Sequence, residues 1–142
     1  MKFNKLLKYL FFLNFLLNSN LLADNNYFAE GQVLFIKKEF AKAKFKFEQD
    51  LVYNPKSEKS YLYLSKIYSV QKKKDLEVEN LKTVILLNPK NEEAIYNFAQ
   101  LKLNDSDFVG SNELIEQLLV FCDQFCEKAR KLKIEIEKSL KK

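Results

Sequence analysis

The 142-residue chain contains no histidine, two glycines, two prolines and two cysteines. Without histidine, the side chain that most often serves as general base and metal ligand is missing. Gly31 and Gly110 cannot between them build a phosphate-binding loop or a G-x-S-x-G nucleophile elbow. Cys122 and Cys126 are four apart, with no histidine or further cysteine to complete a zinc site and without the C-x-x-C spacing of a redox pair. A sheet protein with many tight turns would use more glycine and proline than this, so the long stretches without breakers favour helices. No apolar run reaches the roughly 20 residues of a confident transmembrane helix. Carboxylates are plentiful, but they lie in Lys/Glu-rich stretches that single out no facing pair for glycoside chemistry. The residue inventory therefore predicts no enzyme and no cofactor.

The net charge of +5 is unevenly spread. Residues 1–23 carry three lysines and no acid, residues 24–123 carry 14 lysines against 16 acids, and residues 124–142 carry seven basic against three acidic residues. No basic face runs across the body of the chain, which argues against nucleic-acid binding. The N-terminal charge belongs to a recognisable layout: Lys2, Lys5 and Lys8, then Leu10–Leu13 and Phe15–Leu17 interrupted by Asn14, then polar Asn18-Ser19-Asn20 before Ala23 and Asp24. These are the three parts of a secretory signal peptide, with Ala23 as the cleavage position. The alternative is an uncleaved anchor, through which alone the chain would touch a membrane. Either way the mature chain is expected in the periplasm or cell envelope, the composition and compact leader fitting a bacterial source.

About half the residues are apolar, enough to bury the core of one domain. They repeat. Asn54-Pro55 and Asn88-Pro89 hold the only prolines, and their separation sets a period of about 34 residues. On that register Tyr27 aligns with Tyr61 and Ile95, Leu34 with Tyr68, and Phe47 with Leu81 and Ile115; the small residues Gly31, Ser65 and Ala99 share one position. Apolar residues recur at helical spacing within each unit, and Lys37-Lys38 and Gln71–Asp75 supply polar turns. Phe125, Ala129, Leu132, Ile136 and Leu140 then make one apolar stripe on a final helix whose other faces are charged.

This set resembles the tetratricopeptide repeat, with its aromatic, Leu-Gly, Tyr, Ala, aromatic and closing Pro. Glu30 departs where Leu is usual, Glu77 replaces a small residue that lets two helices approach, and Asp123 stands where the third unit would have Pro. The resemblance implies an all-α solenoid of helical hairpins: residues 24–56, 57–90 and a degenerate 91–123 as repeats, and 124–142 as a capping helix with a basic tail. It implies a right-handed superhelical stack whose first helices line a concave groove for a partner protein or peptide. The family's groove positions fall on Phe28, Gln32 and Phe35, on Leu62, Lys66 and Ser69, and on Tyr96, Gln100 and Leu103. Phe28, Phe35, Leu62 and Tyr96 are expected to form a partly exposed apolar strip, with Lys66 and Gln100 as polar contacts. Phe28 and Gln32 stand where the family's carboxylate clamp has Lys and Asn, so a terminal carboxylate is not the expected ligand. Cys122 and Cys126 are either reduced and buried, or form a disulfide across the bend before the cap, a bridge that a continuous helix would strain. The expected function is an exported interaction scaffold; the alternative is an accessory subunit docking by its outer surface or basic cap onto an envelope enzyme complex or the cell wall.

Overall fold

The computed structural model describes residues 26–141; the signal peptide or anchor expected over 1–23 lies outside them. The described residues form seven α-helices and no strand: α1 (Tyr27–Ile36), α2 (Phe40–Tyr53), α3 (Glu58–Val70), α4 (Lys74–Leu87), α5 (Glu92–Asn104), α6 (Phe108–Phe121) and α7 (Cys126–Leu140). Each helix packs on its neighbours in sequence, α1 on α2, α3 on α4 and α5 on α6 most closely, with α7 closing against α6 and α5.

Two kinds of turn alternate. Within each hairpin, one residue takes a left-handed backbone: Lys38 (φ 60°), Lys72 (φ 55°) and Ser106 (φ 61°). These positions keep the period of the prolines. Each closes the same helix-terminating motif, its own N–H bonding the carbonyl three residues back and the next N–H the carbonyl five back: Lys38 to Phe35 and Glu39 to Leu34, Lys72 to Ser69 and Lys73 to Tyr68, Ser106 to Leu103 and Asp107 to Lys102. Between hairpins, Pro55 and Pro89 sit at the second position of turns closed by Ser57 N–H to Asn54 and Asn91 N–H to Asn88. Asn91 then caps α5 by accepting the Ala94 N–H at 2.9 Å.

The core follows the repeat. Phe47, Leu81 and Ile115, one from the second helix of each hairpin, are all fully buried. Gly31, Ser65 and Ala99 hold the matching position in the first helices and are buried too. Ser111 is fully buried in α6 and donates its hydroxyl to the Ala99 carbonyl at 2.8 Å, joining the two helices of that hairpin. In the cap, Ala129, Leu132 and Ile136 are buried against Ile95, Ala99, Ile115 and Leu118, whereas Leu140 at the end of the same stripe is half exposed.

Candidate functional site

The first helices of the hairpins, α1, α3 and α5, meet along one face. Tyr63 links α3 to α1. Its ring stacks on Phe47 (centroids 4.9 Å apart) and receives the edges of Phe28 (5.7 Å) and Phe35 (5.1 Å), and its hydroxyl accepts a hydrogen bond from Gln32 Nε2 at 3.0 Å. Between α3 and α5 the ridge is held by the Lys66 Nζ–Glu93 Oε1 ion pair at 2.7 Å, the same ammonium lying 4.8 Å above the Tyr63 ring.

Beside that ion pair opens a cleft of about 460 Å³. It is lined by Ser65, Lys66, Ser69 and Val70 of α3 and by Glu93, Asn97, Gln100, Leu101 and Asn104 of α5, together with Phe35 of α1 and Glu77 of α4. The side chains are mostly polar. Glu77 reaches the cleft from α4, and burial pushes its carboxyl above the ordinary 4.5, partly offset by the Ser69 hydroxyl beside it. A second hollow of about 260 Å³, lined by Leu62, Lys90, Asn91, Glu92, Glu93, Gln124 and Phe125, lies where the Asn88-Pro89 turn meets the cap. There the Glu92 carboxylate accepts the Asp123 and Phe125 N–H groups, both at 2.8 Å.

Of the nine groove positions expected from the sequence, Phe35, Lys66, Ser69 and Gln100 converge on the cleft. Gln32 and Phe28 are engaged with Tyr63 instead. Of the partly exposed apolar strip expected from Phe28, Phe35, Leu62 and Tyr96, Leu62 is corrected, while the other three are half-buried and keep part of their surface. Leu62 is only 9% exposed and packs with Leu81, Val84 and Ala94. Phe28 and Phe35 lie against the aromatic cluster around Phe47. Tyr96 is tilted against Phe125 of the cap turn (5.5 Å), and Leu103 packs on the α5–α7 core. Sequence reasoning missed Glu93, Asn97 and Asn104, which share the α5 face of Gln100 at helical spacing, and the hub Tyr63, which stands where the other hairpins have Ala29 and Asn97. Glu77 did stand out as a departure from the repeat, without a place in the groove.

Cys122 and Cys126 form a disulfide, S–S 2.02 Å. The bridge does not lie on a continuous helix. α6 ends at Phe121, Cys122 has an extended backbone (ψ 148°), and Cys126 opens α7, bringing the two Cα atoms to 5.2 Å. Among the described residues no group of three Cys, Asp or Glu side chains could hold a metal ion, and no helix is long and apolar enough to cross a membrane.

No family model and no curated sequence matches the chain. Solved structures do resemble it. The Sgt2 TPR domain from Aspergillus fumigatus superposes with a TM-score of 0.69 at 18% identity, covering 82% of this chain and 81% of that one. The first TPR of Spaghetti (RPAP3), bound to the HSP90 peptide SRMEEVD, gives 0.72 at 14% identity over 82% and 91%. The type III secretion translocator chaperone SycD of Yersinia enterocolitica gives 0.69 at 12% identity over 80% and 81%. Three hairpins with identical turns at one fixed period, a closing helix and these likenesses establish that the chain has the tetratricopeptide-repeat fold.

Proposed function

We propose that the chain is an exported protein-interaction scaffold of a bacterial cell envelope that takes a segment of a partner protein in the cleft between α3 and α5. The observation that carries this reading is the cleft itself: an open polar recess on the face where the first helices of the hairpins meet, with donors and acceptors on both walls. Similar folds are seen holding peptides or partners, as in the Spaghetti domain with its HSP90 peptide and in the CopN–Scc3 complex. Export is supported by the layout of residues 1–23 and by the bridged cysteine pair, which oxidising compartments maintain. N-terminal sequencing of the protein from its native cell should give a chain starting near Asp24; a cytosolic chain starting at Met1 would refute export. For binding, Lys66→Ala with Gln100→Ala should abolish retention of the native partner while leaving helicity unchanged. Full retention by the folded double variant would refute the cleft.

Val52, Leu86 and Val120 occupy one position of the second helices, repeat by repeat, and are 78%, 81% and 86% exposed. This repeating aliphatic row favours an accessory subunit that docks by its outer surface onto an envelope complex or the cell wall. Replacing all three by Ser should then abolish the association that the cleft variant leaves intact.

A further inference from the structure

Residues 43, 77 and 111 share one position of the repeat, the fourth residue of the second helix of each hairpin. In two hairpins it is small and fully buried: Ala43, and Ser111 bonded to the Ala99 carbonyl. In the middle hairpin it is Glu77. Glutamate cannot fill that space as alanine does, and its carboxyl lines the cleft beside Ser69. Ser65, which also lines the cleft, donates its hydroxyl to the Leu62 carbonyl of its own helix at 2.7 Å and so offers Glu77 no hydrogen.

The charges around the cleft do not balance. Lys66 is paired with Glu93. Asn97, Gln100 and Asn104 are neutral amides. Among the described residues Glu77 forms no ion pair, so the cleft keeps one carboxylate in a recess that partly excludes water. An ion pair made there is screened less than one on the open surface. The amide oxygens on the α5 wall can accept the N–H groups that a single carboxylate leaves over, which suits a guanidinium or an ammonium and repels an anion.

From this geometry we infer that Glu77 is a specificity subsite, which takes an arginine or lysine side chain of the bound partner segment. The inference rests on the cleft being the partner site. It is tested with the full chain in mild detergent, panned against a positional-scanning peptide library. The wild type should enrich Arg or Lys at one position, and both Glu77→Gln and Glu77→Ala should still retain peptides but lose that preference. For a selected peptide, exchanging the basic residue for norleucine should weaken binding by the wild type about tenfold, and binding by Glu77→Gln less than about twofold. Peptides retained with no basic preference, or a preference that survives in Glu77→Gln, overturn the subsite and leave the cleft standing. A wild type that retains no peptide overturns both. Alanine occupies the equivalent position in the first hairpin, so Glu77→Ala is compatible with the fold, and unchanged helicity confirms it for each variant.

Discussion

A Cβ placed on Gly31 would lie 2.6 Å from Cε1 and 2.8 Å from Cδ1 of Phe47. The bare backbone of α1 is thus the surface against which the largest core side chain of the first hairpin rests. In the other hairpins the same two repeat positions hold Ser65 with Leu81 and Ala99 with Ile115, all buried: a larger first-helix residue accompanies a smaller second-helix one. Gly31→Ala should therefore destabilise the protein by about 1 kcal/mol net, since overpacking of roughly 1–3 kcal/mol outweighs the helix propensity gained, about 1 kcal/mol. In a Phe47→Leu background the same change should become stabilising by about 1 kcal/mol. Chemical denaturation of the four variants of this cycle checks the change of sign.

Lys72 has an exposed side chain and a left-handed backbone. That conformation costs an L-residue about 1–2 kcal/mol and glycine almost nothing, while glycine gives the unfolded chain roughly 0.5–1 kcal/mol of extra entropy. Lys72→Gly should raise stability by about 0.5–1 kcal/mol, measured by urea unfolding, with no change in partner retention. A loss of stability would mean that the turn is not held in this conformation in solution.

The repeat period was legible because it is written in side chains that must be large, small or proline: Phe47, Leu81 and Ile115; Gly31, Ser65 and Ala99; Pro55 and Pro89. The turns at Lys38, Lys72 and Ser106 keep the same period but carry no mark of it, since none is the glycine or asparagine that usually signals a left-handed residue. The cleft was half legible. Lys66 and Ser69, two positions that the register marked on α3, line it. Phe28 is drawn out of it by Tyr63, a bulky ring between α1 and α3 that periodicity does not announce, while Phe35 touches both that ring and the cleft. The disulfide looked strained only on the assumption of one unbroken helix, and the break at Cys122 removes that objection.

Asp50 is a buried carboxylate in the first hairpin, and it accepts a hydrogen bond from the Ser60 hydroxyl at the start of α3. One repeat later the same two positions are Val84 and Ala94, both fully buried in one apolar cluster. Ser60→Ala alone should cost about 1–3 kcal/mol by stranding the carboxylate. The double variant Asp50→Val with Ser60→Ala copies the second repeat and should return to within about 1 kcal/mol of the wild type. Thermal unfolding of both gives the coupling, and additive effects would contradict it.

Burial holds the Glu77 carboxyl above its ordinary value of 4.5 in the folded protein. Below that value the acid is neutral in folded and unfolded chains alike, and its burial carries no charge penalty. As pH rises through 4.5 and past the raised folded value, the ionised form is penalised only in the folded chain, and stability falls. Glu77→Gln removes that loss. The variant should exceed the wild type in stability by more at about pH 7 than at about pH 4, the gap opening across the window above 4.5. A constant difference across that range would mean that the carboxyl is fully solvated.

Partner binding in the cleft between α3 and α5 can be tested inside the native cell. A photo-crosslinking amino acid is placed at Gln100, on the cleft wall, or at Leu86, on the exposed row of the outer surface. Cleft binding predicts that the Gln100 probe captures a discrete protein that Glu77→Gln captures less well, and that the Leu86 probe captures none. Capture of the same protein from Leu86 and nothing from Gln100 would contradict it.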